Sequence, residues 1–329
     1  DGVYGYIIPI AVPMLLFRAD LRRIWRESGR LFWAFNISAI GTVLGAFVAT
    51  LFIRFTPEIW KIAGMMTGSY IGGGVNFVAM STMLQTAKPL VAATMAADNL
   101  NMALYFLILF AIPTMLFFKR AYTHPHEDRL EEIDKTSASG IAQNRAAAYW
   151  GRKEISLLDI ALAVGLAVII AAVSDAITKL VGWGAGRYLI ITAVTVLLAT
   201  LFPKVGEIRG AQEIGTFLMY IFFVVIGTGA SIKNILMQGP LVFVYCAVMV
   251  IVNMIVTLVI GRLLKFDLEE LLVASNANVG GPTTAAAMAI AKGWDALVLP
   301  AILVGVWGYV IGNYAGAAVS LALKSMLGL

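Results

Sequence analysis

The chain has 329 residues, 60% hydrophobic and 13% charged, with 24 basic against 19 acidic side chains. Soluble domains carry about a quarter charged residues, so this composition excludes a water-soluble globule, a disordered chain and a nucleic-acid binder, and indicates an integral membrane protein. The basic excess fits Lys and Arg retained on the cytoplasmic side, and the single Cys246, inside an apolar run, excludes an intrachain disulfide.

A window of about 19 residues, enough to cross about 30 Å of hydrocarbon, predicts about ten apolar segments. Backbone facing lipid must satisfy its own hydrogen bonds and no barrel-like alternation is present, so an all-α polytopic membrane protein is expected. Segment 3–17 leads into a connector with Arg18, Arg22, Arg23, Arg26 and Arg30. Next comes 31–53, whose Gly41-Thr42-Val43-Leu44-Gly45 reads as a close-packing face. Segment 58–87 is interrupted at Ile71-Gly72-Gly73-Gly74, and 89–118 carries Asp98, Asn99 and Asn101. A polar connector, 119–156, holds His124, His126, Glu131, Glu132, Ser137, Ser139 and Gly140, and is expected to be a solvated cytoplasmic loop. Segments 157–178, 187–202, 212–230, 238–261, 268–292 and 295–323 follow, the fifth interrupted at Val279-Gly280-Gly281-Pro282.

The two halves repeat each other. Ile71-Gly72-Gly73-Gly74 matches Val279-Gly280-Gly281-Pro282 at an offset of 208, and Ala79-Met80 matches Ala287-Met288 at the same offset. The predicted organisation is therefore a first inverted repeat over 1–118, the cytoplasmic connector 119–156 and a second inverted repeat over 157–329. In this register 157–178 and 187–202 have no counterparts, so two leading helices of the first repeat are expected to be missing. The positive-inside rule places the Arg18–Arg30 connector in the cytoplasm and its Lys233-bearing counterpart outside. That requires an odd number of crossings per half, and re-entrant hairpins at 58–87 and 268–292 provide it. A crossing helix merely interrupted at its glycines is the alternative.

Ser275-Asn276-Ala277-Asn278-Val279-Gly280-Gly281-Pro282-Thr283-Thr284 cannot be a helix interior, because two glycines and a proline together remove about 5 kcal/mol of helix propensity. Broken backbone at membrane depth is tolerated where protein or a polar cavity satisfies it. Pro282 suits the first turn of a new half-helix whose free N–H groups attract an anion. Gly73, Gly74, Asn76, Gly280, Gly281, Thr283 and Thr284 are therefore the expected substrate contacts. Ser275, Asn276 and Asn278 offer oxygens to a hard cation, and Asp98 with Asn101, one helical turn apart, would complete a Na⁺ site. Asn36 and Asn253 read as ordinary interhelical amides, and Asp175 as interfacial. His124-Pro125-His126 lacks the spacing of a zinc protease and no P-loop is present, so neither an enzyme nor an ATP-driven pump is expected.

Leu15-Leu16-Phe17-Arg18-Ala19-Asp20-Leu21-Arg22-Arg23, Asn278-Val279-Gly280-Gly281-Pro282-Thr283-Thr284-Ala285-Ala286-Ala287 and Ala291-Lys292-Gly293-Trp294 resemble the YjcL-like bacterial and plastid membrane family of unknown function. That family looks like a relative of the bile acid:sodium, glutamate:sodium and cation:proton transporters. The resemblance implies inverted repeats with broken core helices and an elevator motion of a core domain against a dimeric scaffold. The resulting expectation is a multi-pass protein of the inner (plasma) membrane, working as a homodimer. It would move a small organic anion with Na⁺, rather than H⁺, as coupling ion, and need no other cofactor. A monovalent cation:proton antiporter and a non-transporting scaffold or receptor are the alternatives.

Overall fold

The computed structural model describes residues 3–134, 154–228 and 232–329. These are helical throughout and contain no strand. After a π-helical turn, the helices are α1 (Ile8–Leu16), α2 (Leu21–Glu27), α3 (Arg30–Phe52), α4 (Ile59–Met83), α5 (Lys88–Ala111), α6 (Leu116–Ala121) and α7 (Pro125–Asp134). The second half contributes α8 (Leu157–Val181), α9 (Arg187–Leu201), α10 (Ala211–Thr228), α11 (Ile232–Leu263), α12 (Leu268–Gly280), α13 (Pro282–Ala291) and α14 (Asp295–Met326).

Five helical stretches are long and apolar enough to cross a membrane, namely Arg30–Phe52, Lys88–Thr114, Leu157–Val181, Gly239–Leu263 and Asp295–Met326. Others among the expected ten segments form shorter apolar helices, including Gly5–Leu16, Arg187–Leu201, Ala211–Val225 and Pro282–Ala291. Leu180 is 88% exposed and Leu157 82%, in company with Phe52, Leu107, Phe117 and Leu197. Apolar surface on this scale does not face water, and together with the spans it makes this a membrane protein.

Helix ends follow from local chemistry. Asp20 caps α2 by accepting from the N–H groups of Arg22 and Arg23. Ser156 with Asp159 and Asp267 with Glu270 form reciprocal capping boxes at the starts of α8 and α12. Gly182, left-handed at φ 69°, stops α8. Just beyond that turn, Arg187 grips Asp175 through two hydrogen bonds of 2.5 and 2.8 Å, tying α9 to α8.

The halves interleave in a large core built on α3, α4, α5, α11, α12, α13 and α14, which α1, α9 and α10 also enter through residues such as Val12, Ile191 and Phe222. A smaller cluster of Met14, Phe17, Ala163, Ala167, Ile170 and Ala211 joins α1, α8 and α10, with α9 packed alongside. Gly41 and Gly45 allow α3 to meet α11 backbone to backbone, as the packing reading of that motif required. A Cβ on Gly41 would stand 3.0 Å from Asn253 Cα, and one on Gly45 2.7 Å from Met249 O. At the offset of 208, Met249 is the counterpart of Gly41 and Asn253 that of Gly45.

The connector differs from its expected form where it is described. Residues 125–134 are helical rather than a solvated loop, because Pro125 suits a first turn and Glu127 and Asp128 favour the helix N-terminus. Ser137, Ser139 and Gly140 lie outside the described residues.

Candidate functional site

Both interrupted segments fold back on themselves. A Cβ on Gly68 would lie 2.9 Å from Met80 Cγ, and one on Gly64 2.9 Å from Leu84 Cδ1. A continuous helix would hold those pairs about 18 and 30 Å apart, so α4 is a hairpin of two helical arms. Its ends meet as well, with Lys61 Nζ 3.4 Å from the carbonyl of Gln85. In the second half, Asn276 Nδ2 donates to Thr284 O at 3.5 Å and Met288 Sδ at 3.1 Å, so α12 and α13 form a matching hairpin.

One glycine makes each bend. Gly73 has φ 69° and ψ −172°, and Gly281 has φ 83° and ψ −174°, a combination essentially closed to residues with a side chain. The sequence offset pairs these two residues, and the fold brings them together. A Cβ on Gly73 would be 3.7 Å from Gly281 Cα. The Tyr309 side chain covers both bends, 3.6 Å from where a Cβ would stand on either glycine. Of the neighbouring expected contacts, Gly74 is exposed beside Phe223, Gly280, Thr283 and Thr284 are half-buried, and Asn76 is buried. Thr284 turns its hydroxyl back to Gly281 O at 3.1 Å, and Asn76 Nδ2 donates to Tyr309 O at 3.0 Å.

The expected cation ligands surround the bends but point in different directions. Asp98, 6% exposed, accepts from Ser69 Oγ at 3.2 Å and faces the Tyr70 hydroxyl. Asn101 donates to the carbonyls of Phe243 and Ala97. Ser275 turns to α11 and α5, Asn276 to α13, and Asn278 to Phe35 O of α3 at 3.0 Å. The amide oxygens of Asn76, Asn276 and Asn278 are buried acceptors without donors.

Asn253 is the polar hub that a one-residue reading overlooks. Its Nδ2 reaches Ser38 O, Ser38 Oγ and Thr42 Oγ1 at 2.7, 2.9 and 2.8 Å, while Thr42 donates onward to Tyr70 O. Ser275 Oγ donates to Asn253 Oδ1 at 2.8 Å, so in its short bond with Tyr105 the tyrosine hydroxyl must donate. One directed chain of hydrogen bonds thus links the first hairpin, at Tyr70, to the second, at Ser275. Ser38 and Thr42, one turn apart on α3, are the signal that could have marked it. Tyr309 gives no such signal, being one aromatic among many in an apolar run.

Residues 1–326 match the family described as a protein of unknown function, DUF819. The chain belongs to the DUF819 family. It is 46% identical over 328 residues to the uncharacterized membrane protein YjcL of Bacillus subtilis (strain 168), covering 96% of this chain and 81% of that protein. As a DUF819 member the chain is a helical membrane protein whose family name carries no activity, and the chemistry has to come from the site.

The connector meets the second hairpin at one end. Glu269, fully buried, accepts from the N–H groups of His126 and Glu127 at 3.0 Å, closing the N-terminus of α7. Leu268 N donates to Thr123 O, Thr123 Oγ1 to Asp267, and Arg30 reaches Glu270 at 3.1 Å. Burial pushes the Glu269 carboxyl above its ordinary range, and the backbone N–H groups facing it offset only part of that shift.

Proposed function

We propose that this DUF819 protein is a secondary active transporter of the inner membrane that moves a small organic anion, coupled to Na⁺, by an elevator motion. The observation that carries the reading is the crossing of the two bends at Gly73 and Gly281, which gathers half-helix ends within the core. Half-helix N-termini attract anions, and donor-free acceptors such as the oxygens of Asn76, Asn276 and Asn278 suit a cation. Gly74, Gly280, Thr283 and Thr284, the less buried groups at the crossing, are the proposed substrate contacts.

The inverted-repeat reading is supported by reciprocity. Gly41 meets the counterpart of Gly45, Gly45 meets the counterpart of Gly41, and Gly73 meets its own counterpart. Two-fold related segments make contacts of that form. The second, smaller apolar cluster that joins α1, α8 and α10 is the part proposed as scaffold, held still in a homodimer while the helices of the bends move. The kinship with the bile acid:sodium, glutamate:sodium and cation:proton transporters belongs to the same proposal.

Thermal stability in detergent, with Na⁺, K⁺ and organic acids varied together, tests the reading. Na⁺ at 100 times its dissociation constant should stabilise the protein by about 2.7 kcal/mol where K⁺ does not. Asp98→Asn should abolish that gain while leaving the response to pH small. The burial of the Asp98 carboxyl favours a second reading, cation:proton antiport, in which the same substitution removes a pH-dependent stability change instead. Responses unchanged by the substitution would make Asp98 a structural acid.

A further inference from the structure

Helix α2 is short and two-sided. Its Ile24 is buried in the main core, where α2 packs on α14. Arg22, Trp25 and Arg26, spaced at i, i+3 and i+4, share another face and are all exposed, Trp25 at 61%. The indole of Trp25 is nevertheless held in place, because its ring meets Phe32 edge-on at 5.2 Å and Trp33 edge-on at 5.9 Å between centroids. Phe32 and Trp33 lie in the first turn of α3, a helix long and apolar enough to cross a membrane, and Trp33 is itself exposed. The face of α2 therefore sits where that crossing begins, the level at which indoles concentrate.

The charge on this face has no counterpart on the same helix. Arg22 and Arg26 are one helical turn apart, so they repel each other. The two acids of this stretch are already engaged, since Asp20 accepts from the N–H groups of Arg22 and Arg23 and Glu27 pairs with the side chain of Arg23 at 2.9 Å. Neither Arg22 nor Arg26 forms an ion pair among the described residues. Each keeps a planar fork of N–H donors that fits a phosphate, and the exposed indoles beside them offer apolar surface to an acyl chain. A soluble anion would use the guanidinium groups and leave the indoles without a partner. A zwitterionic lipid would bring a cation of its own beside its phosphate. An anionic phospholipid matches both parts of the face.

We infer that Arg22, Trp25 and Arg26 of α2, together with Trp33, form a binding site for the headgroup of an anionic phospholipid. The site is independent of the transporter reading and stands or falls without it.

The purified full chain in a neutral detergent is melted while phosphatidylglycerol or phosphatidylcholine is titrated into the micelles, with inorganic phosphate as a separate arm. Phosphatidylglycerol should stabilise the protein at a lower mole fraction than phosphatidylcholine. Arg22→Gln or Arg26→Gln should raise the half-effect mole fraction of phosphatidylglycerol about fivefold, the effect of one basic side chain near an anionic lipid surface, and leave that of phosphatidylcholine in place. Trp25→Ala should weaken both lipids alike. Lys179→Gln, which removes an exposed charge from the last turn of α8, should leave both titrations as they are. All four substitutions fall on exposed positions, so folding is expected to survive them. Equal responses to the two lipids would leave the arginines to an acidic protein partner and overturn the inference. A titration unchanged by both arginine substitutions would place the lipid elsewhere, and a gain reproduced by inorganic phosphate would make this a site for soluble anions. Either result overturns it as well.

Discussion

The two hairpins share one backbone device and are clamped in different ways. Around the first, α14 presents Gly308, Gly312 and Gly316 to α4, so that backbone meets backbone. A Cβ on Gly312 would lie 2.7 Å from Asn76 Nδ2, one on Gly316 2.6 Å from Gly64 O, and one on Gly308 would overlap Ile71 O. The second hairpin also packs along α14 with both arms, most tightly where Gly305 meets Pro282, and polar side chains hold its other faces. Tyr105 and Asn253 hold Ser275, Phe35 O holds the Asn278 amide, Phe106 covers Gly280, and the connector holds Glu269. A bend of given geometry thus dictates little about its surroundings. Both copies pack on α14 and both carry polar contacts, but close glycine contacts dominate around the first, and directional hydrogen bonds are more numerous around the second.

The comparison breaks most decisively at the glycine clamp. Gly308→Leu should cost about 3 kcal/mol or more of stability, because the atoms in its way are the Ile71 carbonyl and the Phe35 ring inside a packed core. A melting temperature in detergent within a degree of the parent would mean that α14 is not held as described. Next come the bends. Gly73→Ala and Gly281→Ala should each cost about 1–3 kcal/mol from backbone strain alone, since the added methyl would meet its neighbours at ordinary contact distances. A large difference between the two would show that the hairpins are not equivalent even in their shared feature.

Smaller effects sharpen the contrast on the polar side. Tyr105→Phe removes the donor to Ser275 and should cost about 0.5–1.5 kcal/mol, readable as faster hydrogen exchange in α12 than in α4. Equal exchange in both would place the polar clamp elsewhere. The smallest is the pH response of the connector contact. A carboxyl raised in the folded state favours folding most below its unfolded value and loses that contribution as pH rises through the raised value. The parent should therefore lose stability relative to Glu269→Gln as pH climbs above the ordinary glutamate range, near about 4.3. A constant difference across pH 4–8 would contradict the burial argument for Glu269.

Much of this was legible in the chain. The breaks announce themselves because Gly72-Gly73-Gly74 and Gly280-Gly281-Pro282 remove helix propensity where lipid offers no replacement partners. The offset of 208 pairs the two bends and, at Gly41 and Gly45, the crossing of α3 with α11. The directions of the side chains were not legible. Ser275, Asn276 and Asn278 crowd one stretch of sequence, but successive helical positions turn by about 100°, so the three face different partners. Asn253 looked like any interhelical amide because its importance depends on Ser38 and Thr42, which are distant in sequence. A single window length counts crossing helices and the short arms of a hairpin alike as apolar segments.

The contact of Gly45 with the helix that carries Asn253 has a bearing on ancestry. Within the repeat reading these two positions are the same position, occupied once by a hole and once by the side chain that organises the hub. Two identical halves could not achieve this: glycine in both would leave the polar chain without its centre, and asparagine in both would drive side chain into backbone. On the proposed repeat, the halves have specialised in opposite directions at one residue. Neither could now be exchanged for a second copy of the other.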